Sequence, residues 1–195
     1  MPAKAGDKRQ RTRAQLLEAA RAVVREKGFH AVSMDEVARR AGMSRGAIYG
    51  NFRNREDLIF GVVENLWPPV APKLVPGASF RQQMRIIGAA VADAAEQRKS
   101  MAVGAASFQL FAFSHPRMRR RLARENARIY EFIAGELRKF ISEAELPMPI
   151  ERFVRVTHML SDGLMFGHFM TPELIDREVI ISAFEALAGK PSAPA

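Results

Sequence analysis

Helical periodicity is the feature that most constrains this sequence. Apolar residues recur three and four positions apart along almost the whole chain, as in Leu16, Ala20, Val23 and Val24, and this spacing is typical of one face of an α-helix. Strand signals are nearly missing, with little apolar–polar alternation and no Asn-Gly or Asp-Gly turn flanked by β-branched residues. The pattern predicts an all-α protein of about nine helices.

Composition excludes several classes of protein. With 195 residues and 48% hydrophobic residues, the chain can bury a core, so extensive disorder is excluded. The longest apolar run, at 86–92, is far shorter than the roughly 18 residues that a membrane helix needs. No secretory signal is visible, and the absence of cysteine excludes disulfides, thiolate nucleophiles and Cys-based zinc sites. We expect a cytoplasmic protein without a metal, a cofactor or a membrane partner.

Positive charge is concentrated in the N-terminal third. The net charge is +9, and residues 1–58 hold 13 basic and seven acidic residues, which leaves +6 in that part. Residues 59–195 hold 17 basic and 14 acidic residues and contribute +3. A concentrated basic charge is typical of nucleic-acid binding, so the N-terminal part is the candidate for it.

Capping residues divide the N-terminal part into short helices. A helix over 12–27 ends at Gly28, and Ser33 with Glu36 forms a capping box for a second helix. Ser44 caps a third helix that reaches about residue 49, and Asn54 caps a fourth.

Four prolines between residues 67 and 77 interrupt the helical pattern. Further helices are predicted at 79–98, 101–113, 116–143, 150–170 and 172–188, the last starting at Thr171-Pro172. We therefore predict a DNA-binding domain over 1–58 with a flexible basic arm over 1–9, an effector-binding and dimerisation domain over 59–190, and a disordered tail over 191–195.

The second and third helices have the spacing of a helix-turn-helix motif. They are joined by Ala41-Gly42-Met43-Ser44, in which Gly42 supplies a left-handed backbone conformation. The third helix would place its exposed residues in the major groove of DNA. These residues are Arg45, Gly46, Ala47, Tyr49, Gly50 and Asn51.

The segments 32–38, 41–52 and 55–58 resemble the DNA-binding region of TetR-family transcriptional regulators, and the resemblance is dense over about 10–60. It implies that Ser33, Tyr49 and Arg55 contact the DNA backbone. It also implies that Arg45, Ala47, Gly50 and Asn51 read base edges, with guanine and adenine as the natural partners of Arg45 and Asn51. The predicted DNA-binding set is Ser33, Ser44, Arg45, Gly46, Ala47, Tyr49, Gly50, Asn51 and Arg55.

One short helix is a weak reader of sequence, because a good bidentate base contact contributes only about 1–3 kcal/mol of discrimination. Two copies on a palindromic operator solve this problem, so we expect a homodimer. The predicted helices 150–170 and 172–188 carry more apolar residues than one core-facing stripe needs. This helix pair resembles the two helices with which TetR-family regulators form the four-helix bundle of their dimer. The predicted interface is Phe153, Leu160, Leu164, Phe169, Val179, Ile180, Phe184 and Leu187, with simple core packing as the alternative.

Aromatic and methionine residues are enriched in the second half of the chain, with nine of 13 phenylalanines after residue 100. They are candidates for a cavity that binds a small apolar effector, although a filled core would show the same pattern. The predicted pocket set is Trp67, Met101, Phe108, Phe111, Tyr130, His158, Asp162, Met165 and Phe166. Gln109 and His168 are further polar candidates.

Catalysis is not expected. His158, Ser161 and Asp162 lie on one face of one helix, so their side chains do not converge as a nucleophilic relay requires. The basic run at 117–124 is interpreted as a solvated helix start, with an acidic effector as the alternative. The sequence thus indicates a homodimeric repressor released from double-stranded DNA by a small-molecule effector. The alternative is a non-specific architectural DNA-binding protein without an effector.

Overall fold

The computed structural model describes residues 5–63 and 70–189, and within these ranges nine α-helices and no strand are found. The all-α prediction is confirmed. None of the helices in the described ranges is long and apolar enough to cross a membrane. The helices are α1 (Ala5–Lys27), α2 (Met34–Arg40), α3 (Arg45–Tyr49), α4 (Arg55–Val63), α5 (Phe80–Arg98), α6 (Ala102–Ser114), α7 (Pro116–Leu137), α8 (Ile150–Met170) and α9 (Arg177–Glu185).

Helix α1 begins earlier than predicted. It starts at Ala5 rather than near residue 12, so the flexible arm predicted over 1–9 is wrong from residue 5 onward. The residues Lys8 to Arg11 have high helix propensity, and the Thr12 hydroxyl donates to the carbonyl oxygen of Lys8 at 3.0 Å. The basic segment is therefore a continuation of the helix. The tail predicted over 191–195 lies outside the described residues.

Two later helix boundaries also differ from the prediction. Helix α7 ends at Leu137 instead of 143, because the chain turns there and Ser142 caps a separate 3₁₀ turn. Helix α9 starts at Arg177, where the Asp176 carboxylate accepts from the Val179 N–H at 2.9 Å. The predicted start at Thr171-Pro172 is wrong, since Thr171 begins only a short turn.

The chain folds as two compact units, which we call the N-terminal unit (Met1–Pro69 and Ser100–Arg119) and the C-terminal unit (Val70–Lys99 and Arg120–Ala195). This division differs from the predicted boundary at residue 58, because α6 packs with the N-terminal unit. The Ser107 hydroxyl accepts from the Phe29 N–H at 3.1 Å, and the Phe108 ring lies 5.2 Å from the Phe29 ring. Segment 100–119 is therefore part of the scaffold of the predicted DNA-binding helices.

Close helix packing forms the core of the C-terminal unit. Helices α5 and α9 approach so closely that a Cβ at Gly88 would lie 2.9 Å from the Cα of Ile181. The fully buried Gln83 side chain pairs with both backbone groups of Val75, donating to its carbonyl and accepting from its N–H. This pairing anchors the irregular segment 70–78 to α5.

Candidate nucleic-acid interface

The turn between α2 and α3 has the hydrogen bonds of a Schellman motif. The Gly42 N–H donates to the Arg39 carbonyl at 3.1 Å, and the Met43 N–H donates to the Ala38 carbonyl at 2.9 Å. Gly42 has a φ of 67°, as predicted, and a residue with a side chain would be strained there. The sharp turn sets the position of α3 against α2.

The two helices of the motif begin at predicted serine caps. Ser33 Oγ accepts from the Glu36 N–H at 3.1 Å, and Ser44 Oγ accepts from the Ala47 N–H at 3.2 Å. The Glu36 carboxylate binds Arg39 instead of returning to the cap, so the predicted capping box is only half formed. Each serine is exposed and keeps its own O–H for donation to a phosphate oxygen.

Helix α3 presents three small residues, Gly46, Ala47 and Gly50, to solvent beside the larger Arg45 and Tyr49. Ile48 is fully buried, whereas the next residue, Tyr49, is 51% exposed. The residues around them have little side-chain bulk, which permits a close approach to a groove. We call this face the recognition surface; it consists of Arg45, Gly46, Ala47, Tyr49 and Gly50, of which Ala47 is half-buried and the others are exposed.

Arg45, the first residue of α3, is held by an aspartate of α2. Its Nε lies 2.8 Å from Asp35 Oδ1, and its Nη2 donates to Asp35 Oδ2 at 3.2 Å. Both side chains are exposed, at 73% and 63%. The guanidinium is therefore oriented on the recognition surface by a contact within the motif itself.

Asn51 does not have the geometry predicted for reading adenine. Its Nδ2 donates to the Ala47 carbonyl at 2.8 Å. Its Oδ1 is buried and has no hydrogen-bond partner among the described residues. A bidentate contact with adenine needs both atoms at the surface, so this structure contradicts the predicted role. The Asn51 side chain instead closes the last turn of α3.

Arg55 is also placed differently from the prediction. Its Nε donates to the Val32 carbonyl at 2.6 Å, and its Nη2 donates to the carbonyls of Phe29 and His30 at 3.0 and 3.1 Å. The guanidinium lies 5.2 Å from the Phe111 ring centre. These contacts join α4 to the segment before α2 and to α6, so Nε and Nη2 of Arg55 point inward and are not directed at a phosphate.

Two arginines of α1 support the C-terminal end of α3. Arg9 Nη2 donates to the Gly50 carbonyl at 3.3 Å, and Arg13 Nη1 donates to the Asn51 carbonyl at 3.2 Å. The Arg13 guanidinium also lies 4.5 Å from the Phe52 ring centre. Cations at a helix C-terminus are favourable because they meet the negative end of the helix dipole. Arg9 and Arg13 of α1 therefore stabilise the position of α3 and of the recognition surface that it carries.

Arg53 is an exposed cation that sequence reasoning passed over. It lies between α3 and α4, and its backbone N–H donates to the Asp57 carboxylate at 3.2 Å. Its position next to the recognition surface fits a phosphate contact better than the inward Arg55. In the sequence, Arg53 and Arg55 are two basic residues at nearly the same place before and at the start of α4. Only the structure shows that Arg53 is exposed and that the Arg55 side chain points inward.

The predicted effector residues fall into different units. Met101, Phe108 and Phe111 belong to the N-terminal unit, where Phe111 is buried and stacks on His115 with ring centres 3.8 Å apart. Phe111 is thus a core residue in that unit. Trp67 lies outside the described residues.

Four polar side chains do meet in the C-terminal unit. The Tyr130 hydroxyl lies 2.8 Å from His158 Nδ1, and His158 Nε2 lies 4.0 Å from Asp162 Oδ2. Burial raises the pKa of the Asp162 carboxyl above its ordinary range, although His158 and Arg98 oppose the rise. Burial also raises the pKa of Tyr130 and lowers the pKa of Arg98. We call Arg98, Tyr130, His158 and Asp162 the polar cluster.

Predicted pocket residues on α8 differ in whether they contact the polar cluster. Arg98 Nη1 contacts the sulfur of Met165 at 3.9 Å, so this predicted pocket residue adjoins the cluster. The predicted pocket residue Phe166 packs edge-on against Phe169, with ring centres 5.9 Å apart. The Ser161 hydroxyl donates to the Thr157 carbonyl at 2.7 Å, so it points back along the helix and not toward His158. No group of three or more His, Asp or Glu residues in the described ranges is arranged to hold a metal ion.

The predicted dimer residues separate into buried and accessible groups. Phe153, Ile180 and Phe184 are fully buried in the core of their own unit, so their assignment to an interface is wrong. Leu160, Leu164, Phe169 and Leu187 are half-buried against the same core, and Val179 is 40% exposed. Helical spacing did not distinguish the core face from the outer face, because both are apolar.

Apart from Val179, the large apolar side chains of α8 and α9 and of the turn between them that are most exposed to solvent are not in the predicted interface set. Met159 is 54% exposed, Met170 81% and Leu174 69%. Gly163 lies between the two methionines on α8, and a Cβ added there would meet open space. We call Met159, Gly163, Met170, Leu174 and Val179 the outer apolar patch.

The chain resembles bacterial transcriptional regulators. Residues 16–62 match the family model described as bacterial regulatory proteins, tetR family. The HTH-type transcriptional regulator SrpR of Pseudomonas putida is 22% identical over 98% of this chain and 92% of its own. The HTH-type transcriptional activator FasR of Mycolicibacterium smegmatis is 38% identical, but over only 40% of this chain and 37% of its own.

A solved structure extends the likeness to the fold of the whole chain. Native NalD, described as the secondary repressor of the MexAB-OprM multidrug efflux pump in Pseudomonas aeruginosa, superposes with a TM-score of 0.63. The match covers 91% of this chain and 93% of NalD at 20% identity. At this identity the similarity concerns the fold alone.

Proposed function

We propose a function from the premise that this chain belongs to the TetR family of bacterial DNA-binding transcriptional regulators. The protein acts as a homodimeric repressor in the cytoplasm. It binds a palindromic operator in double-stranded DNA through the recognition surface of α3, and a small-molecule effector in the C-terminal unit releases it. The observation that carries the proposal is the Schellman turn that presents α3, with Arg45 at its start, to solvent.

Paired charges favour specific reading over non-specific attraction. Arg39 is paired with Glu36, Arg40 with Glu26, and Arg45 with Asp35. These carboxylates reduce the positive charge that a purely electrostatic DNA-binding protein would expose. The alternative of an architectural protein without sequence preference is therefore less well supported.

The outer apolar patch supports dimerisation. Exposed large apolar side chains that cluster on one face are typical of an interface. Met159, Gly163 and Met170 are spaced by four and seven residues, so they share one side of α8. The space at Gly163 allows a helix of a second copy to approach closely. A stable monomer in sedimentation velocity at micromolar concentration would contradict the homodimer.

Repression is the simplest action of a dimer bound to an operator, because it needs only to block the promoter. NalD is a repressor and FasR is an activator, so regulators of both kinds resemble this chain. The polar cluster is proposed as the polar part of the effector site, since it is half-buried and includes the perturbed Asp162. An effector shifts the operator equilibrium only through its different affinities for the free and DNA-bound states.

Binding to specific and random DNA tests the function. We expect the protein to bind a selected palindrome at least about 1,000-fold more tightly than random duplex at physiological salt. Compounds that raise the melting temperature are then titrated into the protein–DNA complex, and release of the DNA is expected. Equal affinity for the two DNAs would support the architectural alternative, and a bound compound that leaves operator affinity unchanged would reject the effector coupling.

A further inference from the structure

The contact between Asp35 and Arg45 uses one particular side of the guanidinium. Asp35 occupies the Nε and Nη2 positions, at 2.8 and 3.2 Å. An arginine has five N–H donors in a planar fork, so this arrangement leaves the Nη1–Nη2 end directed away from the carboxylate. The end of a guanidinium is the part that donates two hydrogen bonds to O6 and N7 of guanine.

We infer that Asp35 is a positioning residue that orients Arg45 to read guanine. The inference rests on the proposed function, because it concerns how the recognition surface reads DNA. An unrestrained arginine side chain samples many rotamers, and DNA binding would have to offset the entropy lost when one rotamer is selected. Since Asp35 restrains the side chain before DNA arrives, less of this entropy is lost in the complex.

A purely structural role explains the pair less well. Both side chains are largely exposed, and an exposed ion pair contributes little to stability. The turn between α2 and α3 is already fixed by the hydrogen bonds of Gly42 and Met43. The pair therefore has little to add to the fold but determines where the Arg45 guanidinium lies.

Asp35 has a second, opposite effect on DNA affinity. Its carboxylate repels phosphates, so neutralising it strengthens binding to any DNA. If it also orients Arg45, the same change weakens binding to the guanine-containing operator. The two affinities therefore move in opposite directions, which a change in charge alone does not produce.

Glu36 provides a matched control. It lies next to Asp35 in the first turn of α2 and carries the same charge, but its carboxylate binds Arg39 at 2.8 Å. The full-length protein and the variants Asp35→Asn, Glu36→Gln, Arg45→Ala and the double variant Asp35→Asn/Arg45→Ala are titrated against a selected operator and random duplex. A third DNA carries 7-deazaguanine at the position whose enrichment depends on Arg45. Thermal melting verifies that each variant is folded.

For Asp35→Asn we expect operator affinity to fall about tenfold, which is within the range of one bidentate base contact, while affinity for random duplex rises. The 7-deazaguanine substitution should cost Asp35→Asn less than it costs the wild type, and the double variant should bind no more weakly than Arg45→Ala. Glu36→Gln should raise both affinities together. If Asp35→Asn behaves like Glu36→Gln, the inference is overturned and the proposed function stands. If the wild type selects no sequence, the proposed function fails and the inference fails with it.

Discussion

Arg55 Nε donates a 2.6 Å hydrogen bond to the carbonyl oxygen of Val32, and this contact ties the start of α4 to the segment before α2. The same guanidinium binds the carbonyls of Phe29 and His30. Arg55 is expected from the sequence to contact a DNA phosphate, but in this structure its side chain holds α4 against the segment before α2. The positions of the recognition surface and of α4 both depend on it.

Arg55 and Arg53 provide the first prediction. Arg55→Ala leaves carbonyl groups without a charged donor, so we expect the N-terminal unit to lose about 2–4 kcal/mol of stability in urea unfolding. Arg53→Ala should leave stability unchanged but lower the salt dependence of DNA binding by about 0.9 in the log–log slope, as expected for one lost phosphate contact. An Arg55→Ala variant that keeps full stability but binds DNA with a salt slope reduced by about 0.9 would contradict this assignment.

Arg45 and Asn51 are predicted to differ in their effect on sequence preference. Arg45→Ala should cost about 1–3 kcal/mol of discrimination at one base pair in each half-site. Asn51→Ala should leave the preferred sequence unchanged, because Nδ2 is engaged by Ala47 and Oδ1 is buried. Competition titrations with single-base variants of the operator measure both effects. Loss of an adenine preference in Asn51→Ala would show that the side chain turns outward on DNA.

Glycine at position 88 is predicted to be required by packing. Alanine normally stabilises a helix interior by about 1 kcal/mol relative to glycine. At Gly88, however, the new methyl group would meet the backbone of Ile181 at 2.9 Å, so Gly88→Ala should destabilise the protein by about 1–3 kcal/mol. Gly135→Ala on α7, where the Cβ meets open space, is the control and should stabilise it. Thermal unfolding measures the change in stability of each variant, which should be a loss for Gly88→Ala and a gain for Gly135→Ala.

Gly163 is predicted to lie where a second copy approaches. Gly163→Leu adds a bulky side chain to open space in the single chain, so the monomer should fold normally while the dimer dissociates at least about tenfold more readily, since overpacking costs roughly 1–3 kcal/mol. Gly135→Leu adds the same bulk to a different helix and should leave association unchanged. Sedimentation equilibrium distinguishes the two, and equal association constants would place the interface elsewhere.

Asp162 and Glu151, both on α8, should give opposite pH dependences. Burial raises the pKa of Asp162 from its ordinary 3.8. Stability conferred by its protonated form is therefore present at low pH and lost as pH rises through the folded-state pKa. Asp162→Asn should thus be more stable than the wild type near neutral pH, with the advantage disappearing in acid.

Glu151 is the control, because its pKa is shifted in the opposite direction to that of Asp162. Its own backbone N–H and Arg138 lower its pKa from the ordinary 4.5, so its contribution is present above that value and lost as pH falls through the folded-state pKa. Glu151→Gln should be less stable than the wild type near neutral pH and equal to it in acid. Urea unfolding between about pH 2 and pH 8 measures both trends, and parallel curves for the two variants would contradict them.

The features that sequence predicted correctly are local ones. The caps at Ser33 and Ser44 and the left-handed Gly42 depend on residues within four positions, so the helix-turn-helix motif is readable from its own segment. The direction of the Arg55 side chain depends on residues 23 to 26 positions away, and no local pattern encodes it.

Apolar spacing has a related weakness. It identifies a helix but cannot say which apolar face meets the core when two faces qualify. It therefore predicts Phe153 and Ile180 at an interface although they are fully buried, and it leaves the exposed Met159 and Met170 out of the predicted interface. The placement of α6 with the N-terminal unit likewise depends on the long-range contact between Phe29 and Ser107.

The proposed function depends above all on whether α3 reads a two-fold symmetric DNA sequence. Selection of bound fragments from random duplex DNA, with purified full-length protein at physiological salt, tests it most directly. We expect enrichment of a palindrome with half-site centres about 34 Å or a multiple apart. With Arg45→Ala, the preference at one base pair of each half-site should be lost. Salt-sensitive binding without any enriched sequence would contradict it.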